Sequence, residues 1–225
     1  MCFSATASFT TAILTGGVGI AALSKIDRPG EAPMAAIPLV FAAQQTAEGL
    51  LWLGFAGHWS APMMTLAANI FILIALAFWP IWSPLAVGLM EKRPKRRFWI
   101  FALLPVGLSL GCYSALSVFV HPYTASVVNR SICYISPSPY PTIAIPFYVL
   151  CVVGSLFFSS HPVVRRLGSL VAIGLSVSVV FFYEGFVSVW CFFAAAASVG
   201  IYALFHRKPV TSSATAQTTT PYITR

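Results

Sequence analysis

Residues 63–90, MMTLAANIFILIALAFWPIWSPLAVGLM, form one long run without a charged side chain. A helix needs about 20 predominantly apolar residues to cross the hydrocarbon core of a bilayer, and this run is longer than that. Pro80 and Pro84 are predicted to kink or end the helix near one membrane interface. Trp79 and Trp82 beside them are typical of the interfacial aromatic belt. The stretch therefore predicts a membrane-spanning helix.

The composition of the whole chain extends this prediction. Of its 225 residues, 58% are hydrophobic and only 8% are charged, whereas a soluble domain carries about 25% charged residues. So few charges cannot cover the surface of a soluble protein of this size. The alternating pattern of barrel strands is missing, so helices are the expected spanning elements. We expect an all-α polytopic membrane protein whose main partner is the lipid bilayer.

Short polar breaks divide the apolar sequence into seven predicted spans. They cover about residues 5–24, 34–56, 63–90, 98–120, 142–158, 167–183 and 186–206. The last boundary is the least marked, because 167–206 is apolar almost throughout and the one available turn lies near Tyr183-Glu184-Gly185. Residues 1–208 are thus predicted to form a seven-helix transmembrane domain. The Thr/Ser-rich tail 209–225 lacks the apolar content to fold and is predicted to be disordered.

Basic residues give the predicted orientation. Twelve of the thirteen Lys and Arg residues fall in alternate loops or in the tail, and only Arg130 falls on the opposite side. The positive-inside rule then places the N-terminus outside and the C-terminus in the cytoplasm of a multi-pass cell-membrane protein. This segregation also explains the net charge of +8, so we expect no nucleic-acid partner.

The second span carries the polar residues that point to a site. Gln44, Gln45 and Glu48 lie in its predicted outer half, and Gln45, Glu48 and Trp52 share one helical face. An ionisable side chain within a span is costly and usually faces the bundle interior. The two amides have a second interpretation, because amides also hydrogen-bond neighbouring helices in membranes without binding a ligand.

Further reactive side chains map to the same outer side. With the polar face of the second span, they complete a predicted ligand-binding set of Cys2, Gln44, Gln45, Glu48, Trp52, Tyr113, Glu184, Trp190 and Cys191. We expect a polar pocket that opens outward beneath the long loop His121–Pro141. Glu184 also fits a wet external turn, with Arg130 as its surface partner. Cys133 is a candidate for a disulfide with Cys2, Cys112 or Cys191.

Two functions fit these residues. In the first, a small solute, polar or cationic, or a proton engages Glu48 and the amides from outside, in a binding or transport protein. In the second, a membrane-embedded hydrolase or acyl-transfer enzyme acts on a lipid-like substrate with Cys2 and Glu48. Removal of Met1 would leave the Cys2 thiol beside a free amine, which suits a nucleophile or a metal chelate. The sequence identifies no cofactor and no metal.

Three motifs resemble a known family. The opening MCFSATASF (1–9), the stretch QQTAEGLLWL (44–53) and GFVSVWCFFAA (185–195) are similar to the hallmarks of small bacterial multi-span proteins that begin Met-Cys-Phe-Ser. That family carries only a domain-of-unknown-function label. The resemblance covers nearly all of the chain except the polar tail. It implies a bacterial inner-membrane location and marks Cys2, Glu48, Trp190 and Cys191, but it implies no activity.

Overall fold

The computed structural model describes residues 4–138 and 140–206, and helices dominate this part of the chain. The main helices are α1 (Ala5–Leu23), α2 (Ile37–Phe55), α3 (Ala61–Met90), α4 (Pro94–Val120), α5 (Thr142–Phe158), α6 (Pro162–Phe181) and α7 (Tyr183–His206). Short helical turns at Pro29–Glu31 and Ala32–Ala35 precede α2, and π-helical turns interrupt α3 at Leu73–Phe78 and α5 at Leu150–Gly154. Cys2 and the predicted tail 209–225 lie outside the described residues.

The helices confirm the all-α prediction. Five of them (α1, α3, α4, α6 and α7) are long and apolar enough to cross a membrane, which indicates a membrane protein. Helix α5 is shorter. Helix α2 carries Gln44, Gln45 and Glu48, which lower its mean hydropathy.

Helices α1 and α2 form a closely packed antiparallel pair. A Cβ added at Gly19 would lie 2.6 Å from the Leu39 side chain, and one at Gly49 would lie 2.8 Å from the ring of Phe9. Small residues at such positions let helix backbones approach each other, and close packing is what drives helix association in a bilayer. The pair therefore holds the polar residues of α2 at a fixed level beside α1.

The π-helical turn of α3 has a consequence for its backbone. The N–H of Trp79 bonds the carbonyl of Ile74, five residues earlier. In that register the carbonyl of Ala75 would need an N–H from Pro80, which has none. The hydroxyl of Tyr148 in α5 donates a hydrogen bond to the Ala75 carbonyl instead. The defect in α3 is thus compensated by a neighbouring helix, which ties α3 to α5.

The long loop between α4 and α5 contains a β-hairpin that the sequence analysis did not predict. Strand β1 (Thr124–Val128) pairs antiparallel with β2 (Ser131–Ile135). Asn129 and Arg130 form the two-residue turn with φ of 50° and 62°, the backbone of a type I′ turn. We call the side of the bundle that carries this hairpin the hairpin end.

The hairpin is fixed to the helices rather than free in solvent. The Asn69 amide of α3 donates to the Tyr123 carbonyl at 3.0 Å and accepts from the Tyr123 N–H at 2.8 Å. The ring of Tyr134 stacks on Phe71, with 4.6 Å between centroids, and Ile132 is fully buried. The hairpin therefore covers the helices beneath it.

Loops at the opposite side, which we call the basic end, are joined through Glu91. The Ser160 N–H and hydroxyl both donate to the Glu91 carboxylate, and the Arg93 N–H donates to it at 2.9 Å. The Arg165 guanidinium donates to the Ser160 carbonyl at 3.0 Å. Burial raises the pKa of the Glu91 carboxyl, but the bonds from Ser160 and Arg93 outweigh it and hold that pKa below the ordinary 4.5.

Helix α4 packs against α3 through two glycines one turn apart. A Cβ at Gly107 would lie 2.0 Å from the Pro80 carbonyl oxygen, and one at Gly111 would lie 2.6 Å from the Ala77 carbonyl oxygen. Residues 107–111 thus form a GxxxG pattern at a helix–helix contact. Because the opposing atoms are backbone, they cannot turn aside as a side chain would.

We expect Glu91→Gln to lower the free energy of unfolding by about 1–3 kcal/mol at pH 7, because the amide N–H₂ would face the Ser160 and Arg93 donors. The carboxylate bonds stabilise the fold above pH 4.5 and are lost as the pH falls through the lowered pKa of Glu91. The difference in free energy of unfolding between the wild type and Glu91→Gln should therefore disappear at acidic pH. Thermal unfolding in detergent at pH 7 and pH 3 measures it, and the exposed Asp27→Asn is the control.

We expect Gly107→Ala to destabilise the protein by about 1–3 kcal/mol, because its methyl group would overlap the Pro80 carbonyl. Gly17→Ala is the matched control, since a Cβ at Gly17 has no atom within 4 Å and alanine favours the helix. Thermal unfolding of the two purified variants in the same detergent compares them. Equal stability of the two variants would contradict the packing described here.

Candidate functional site

The polar face of α2 is turned into the bundle. Gln44, Gln45 and Glu48 are each 0% exposed, enclosed by α1, α3 and α7. We call this group and its direct hydrogen-bond partners the Glu48 cluster. Its members are Gln44, Gln45, Glu48, Trp79, Ser188 and Cys191.

The Glu48 carboxyl is held from two helices. The Ser188 hydroxyl of α7 donates to Oε1 of Glu48, and Gln45 Nε2, one turn earlier on α2, donates to Oε2 at 3.2 Å. The Oε1 atom of Gln45 is buried and has no hydrogen-bond partner within the described part of the chain. Buried acceptors are rarely left without a donor, which makes this oxygen a candidate contact for a ligand beside the carboxyl group.

Both polar atoms of the Gln44 side-chain amide form hydrogen bonds. Its Oε1 accepts a hydrogen bond from Trp79 Nε1 at 3.0 Å, and its Nε2 donates to the Cys191 sulfur at 3.2 Å. The side chain thereby links α2 to α3 and α7. These contacts agree with the second interpretation of the amides, in which Gln44 links neighbouring helices.

Trp190 lies next to the cluster without joining it. Its Nε1 donates to the Val171 carbonyl of α6 at 3.0 Å. Its ring meets Tyr148 edge-on, with centroids 5.9 Å apart. Trp190 therefore forms part of the contact between α5, α6 and α7.

Three residues of the predicted set lie elsewhere. Trp52 packs edge-on against Phe55, with centroids 6.1 Å apart. Tyr113 is exposed on α4. Glu184 is exposed and accepts from Asn129 Nδ2 of the hairpin turn at 3.1 Å, so it lies in an exposed turn at the hairpin end. The structure thus brings Gln44, Gln45, Glu48 and Cys191 together through hydrogen bonds, while the contacts given for the other described residues of the set are to other partners.

Two members of the cluster were missed by the sequence analysis. Trp79 was expected at the membrane interface, but it is buried because its N–H bonds an amide in the bundle interior. Ser188 carries no hydropathy signal of its own. Its spacing of three residues from Cys191 does place both on one face of α7, and that is the pattern by which it could have been found.

The predicted outward-opening pocket is not open at Glu48. The carboxyl has no exposed surface, and the β2 residues Ile132 and Tyr134 pack against α2 and α3 toward the hairpin end. A solute can reach the cluster only if side chains or the hairpin move.

The described cysteines form no disulfide with one another. Cys112, Cys133, Cys151 and Cys191 are free, so the expected pairing of Cys133 with Cys112 or Cys191 is wrong. Within residues 4–138 and 140–206, no three His, Cys, Asp or Glu side chains form a group that could hold a metal ion. The enzyme hypothesis depends on Cys2, which lies outside the described residues, and it stays a prediction.

Comparison with known proteins identifies the family. A family model matches residues 1–216, and the chain belongs to this family, described as "Family of unknown function (DUF6629)". The match confirms the resemblance to a domain-of-unknown-function family. No curated protein and no solved structure matches the chain. Any function must therefore be argued from the Glu48 cluster itself.

Proposed function

We propose that this protein binds a small polar or cationic solute at the Glu48 cluster and passes it across the membrane. The observation that carries the proposal is a carboxyl group, 0% exposed, on a helix of a membrane bundle. Ionisable side chains at such depth are costly and mark solute, ion or proton pathways. A purely structural role would be served as well by an amide, which carries no charge to bury.

The surroundings of Glu48 suit a ligand that donates hydrogen bonds. The carboxyl oxygens of Glu48 and the Oε1 atom of Gln45, which has no partner among the described residues, are all acceptors, so the group of oxygens favours ammonium, hydroxyl or amide donors. A cationic solute or a proton would also remove the cost of a buried negative charge. Gln44 is occupied by Trp79 and Cys191 and fixes the helices around this position.

We also propose that all seven helices span the bilayer. The polar residues that lower the mean hydropathy of α2 are buried against protein, so its lipid-facing side is apolar. Helix α5 has 17 residues, and spans of about 17–25 residues are the usual range.

The proposed orientation has the N-terminus outside and the C-terminus in the cytoplasm. Support comes from the basic end, where one cavity is lined by Lys25, Arg28, Met90, His161 and Phe205. Two loops and the ends of α3 and α7 therefore meet at this cavity, on the side that carries most of the described Lys and Arg residues. Among the Lys and Arg residues that the structure describes, Arg130 alone lies at the hairpin end, so the charge pattern favours a cytoplasmic basic end.

We expect Glu48→Gln to abolish solute binding while the protein still folds, because the amide keeps the size of the carboxyl but not its charge. The measurement is thermal unfolding of the purified protein with ethanolamine, choline, glycerol and acetate in turn. A ligand at 100 times its Kd stabilises the folded state by about 2.7 kcal/mol. At least one of the first three should raise the Tm of the wild type and leave that of the variant unchanged.

Glu184→Gln is the matched control, since Glu184 lies in the turn at the hairpin end, and it should keep the wild-type shift. Uptake of the radiolabelled solute into proteoliposomes then tests transport by the same three proteins. Binding retained by Glu48→Gln, or no shift of the wild type with any of the cationic or neutral solutes, would refute the proposal.

The orientation is tested by labelling single cysteines with a membrane-impermeant maleimide in intact cells. In a background without Cys2, Cys112 and Cys133, Ser60→Cys should react before permeabilisation and Ser24→Cys only after it. Both positions are exposed, at opposite ends of α2. The reverse order of reactivity would place the basic end outside.

A further inference from the structure

A second feature of the bundle is a cavity of about 290 Å³ between α3, α5, α6 and α7. Most of its wall is hydrocarbon, including Leu76, Val149, Leu175, Val179, Phe186 and Val187. It ends at Trp190 and Cys191, beside the Glu48 cluster. Neither the proposed solute site nor the fold requires an empty space here.

Most polar groups that line the cavity are already engaged, although the buried Tyr140 hydroxyl has no hydrogen-bond partner among the described residues. The Tyr148 hydroxyl donates to a backbone carbonyl of α3, and Trp190 Nε1 donates to the Val171 carbonyl. The Cys191 sulfur accepts from Gln44 Nε2. A polar solute in the cavity would lose its hydration and gain few hydrogen bonds in return, which is unfavourable. The wall therefore favours an apolar occupant.

The mouth of the cavity faces the region where lipid would lie. Ile145 of α5 is 43% exposed, Val179 of α6 is 42% exposed, and Tyr183 is 76% exposed. Apolar side chains on the outside of a membrane bundle contact acyl chains, and tyrosine is typical of the membrane–water interface. An occupant can therefore enter sideways from the bilayer, with its polar end near Tyr183.

We infer that this cavity binds the acyl chain of a single-chain amphiphile, such as a fatty acid, inserted from the bilayer between α5 and α6. A cavity of about 290 Å³ has room for a chain of several methylene groups. The polar end of the amphiphile stays at the interface. The cavity meets the Glu48 cluster at Cys191, but the inference does not rest on the proposed solute site or on Glu48.

The test uses stearate with a diazirine at mid-chain, added to the purified full-length protein in phosphatidylcholine liposomes. After irradiation, mass spectrometry maps the labelled residues. We expect adducts on the cavity wall, at Leu175, Val179 or Phe186, that decrease with excess unlabelled stearate. Leu175→Trp should fill the cavity and reduce these adducts by about tenfold, because a packed space does not admit further atoms.

Leu170→Trp is the matched control, because Leu170 lies on the same helix and is exposed to lipid, and it should leave the cavity adducts unchanged. Val179→Trp serves as a second filling variant if Leu175→Trp unfolds. Glu48→Gln should label like the wild type, which separates this test from that of the solute site. Adducts that do not compete with stearate, or that persist in a folded filling variant, would overturn the inference.

Discussion

The side-chain amide of Gln44 is the interaction on which the centre of the bundle depends. Its oxygen accepts from Trp79 on α3 and its nitrogen donates to Cys191 on α7, so one residue of α2 sets the level of two other helices. Within a bilayer no water is at hand to replace these partners, and each broken bond leaves an unpaired polar group. Glu48, one turn further along α2, consequently meets Ser188, one turn before Cys191 on α7. The position of the carboxyl group follows from that of the amide.

The need to pair buried polar groups also explains how the helices pack around α3. Its π-helical turn before Pro80 leaves the Ala75 carbonyl without a donor of its own, and α5 supplies one through Tyr148. The Pro80 carbonyl is then approached by α4 at Gly107, where any side chain would collide with it. Irregular backbone in a span is tolerated where it is buried in protein. The irregularity of α3 thus determines which faces of α4 and α5 contact it.

The helix positions were predictable because lipid imposes a length and a composition that can be read directly: residues 5–24 and 63–90 were expected, and helices occur at Ala5–Leu23 and Ala61–Met90. The burial of Glu48 followed from its charge. The hairpin could not be predicted from the sequence, because its turn has Arg130 at a positive φ, where glycine is the usual signal. The partners of the α2 polar face depend on which helices are neighbours, and hydropathy does not contain that information. Trp79 is the clearest example. In the sequence, a tryptophan near two prolines suggests the membrane interface, and only the structure shows its hydrogen bond to the Gln44 amide of α2.

Cys191 belongs to both proposed sites. Its side chain forms part of the cavity wall, and its sulfur accepts the hydrogen bond from Gln44. Sulfur is a weak acceptor, so this bond is easier to break than the one from the Ser188 hydroxyl to the Glu48 carboxyl oxygen. An acyl chain that pressed on Cys191 would first release the Gln44 amide, whereas Ser188 would still hold Glu48. The lipid-facing cavity therefore provides a physical route by which the bilayer can influence the geometry of the solute site.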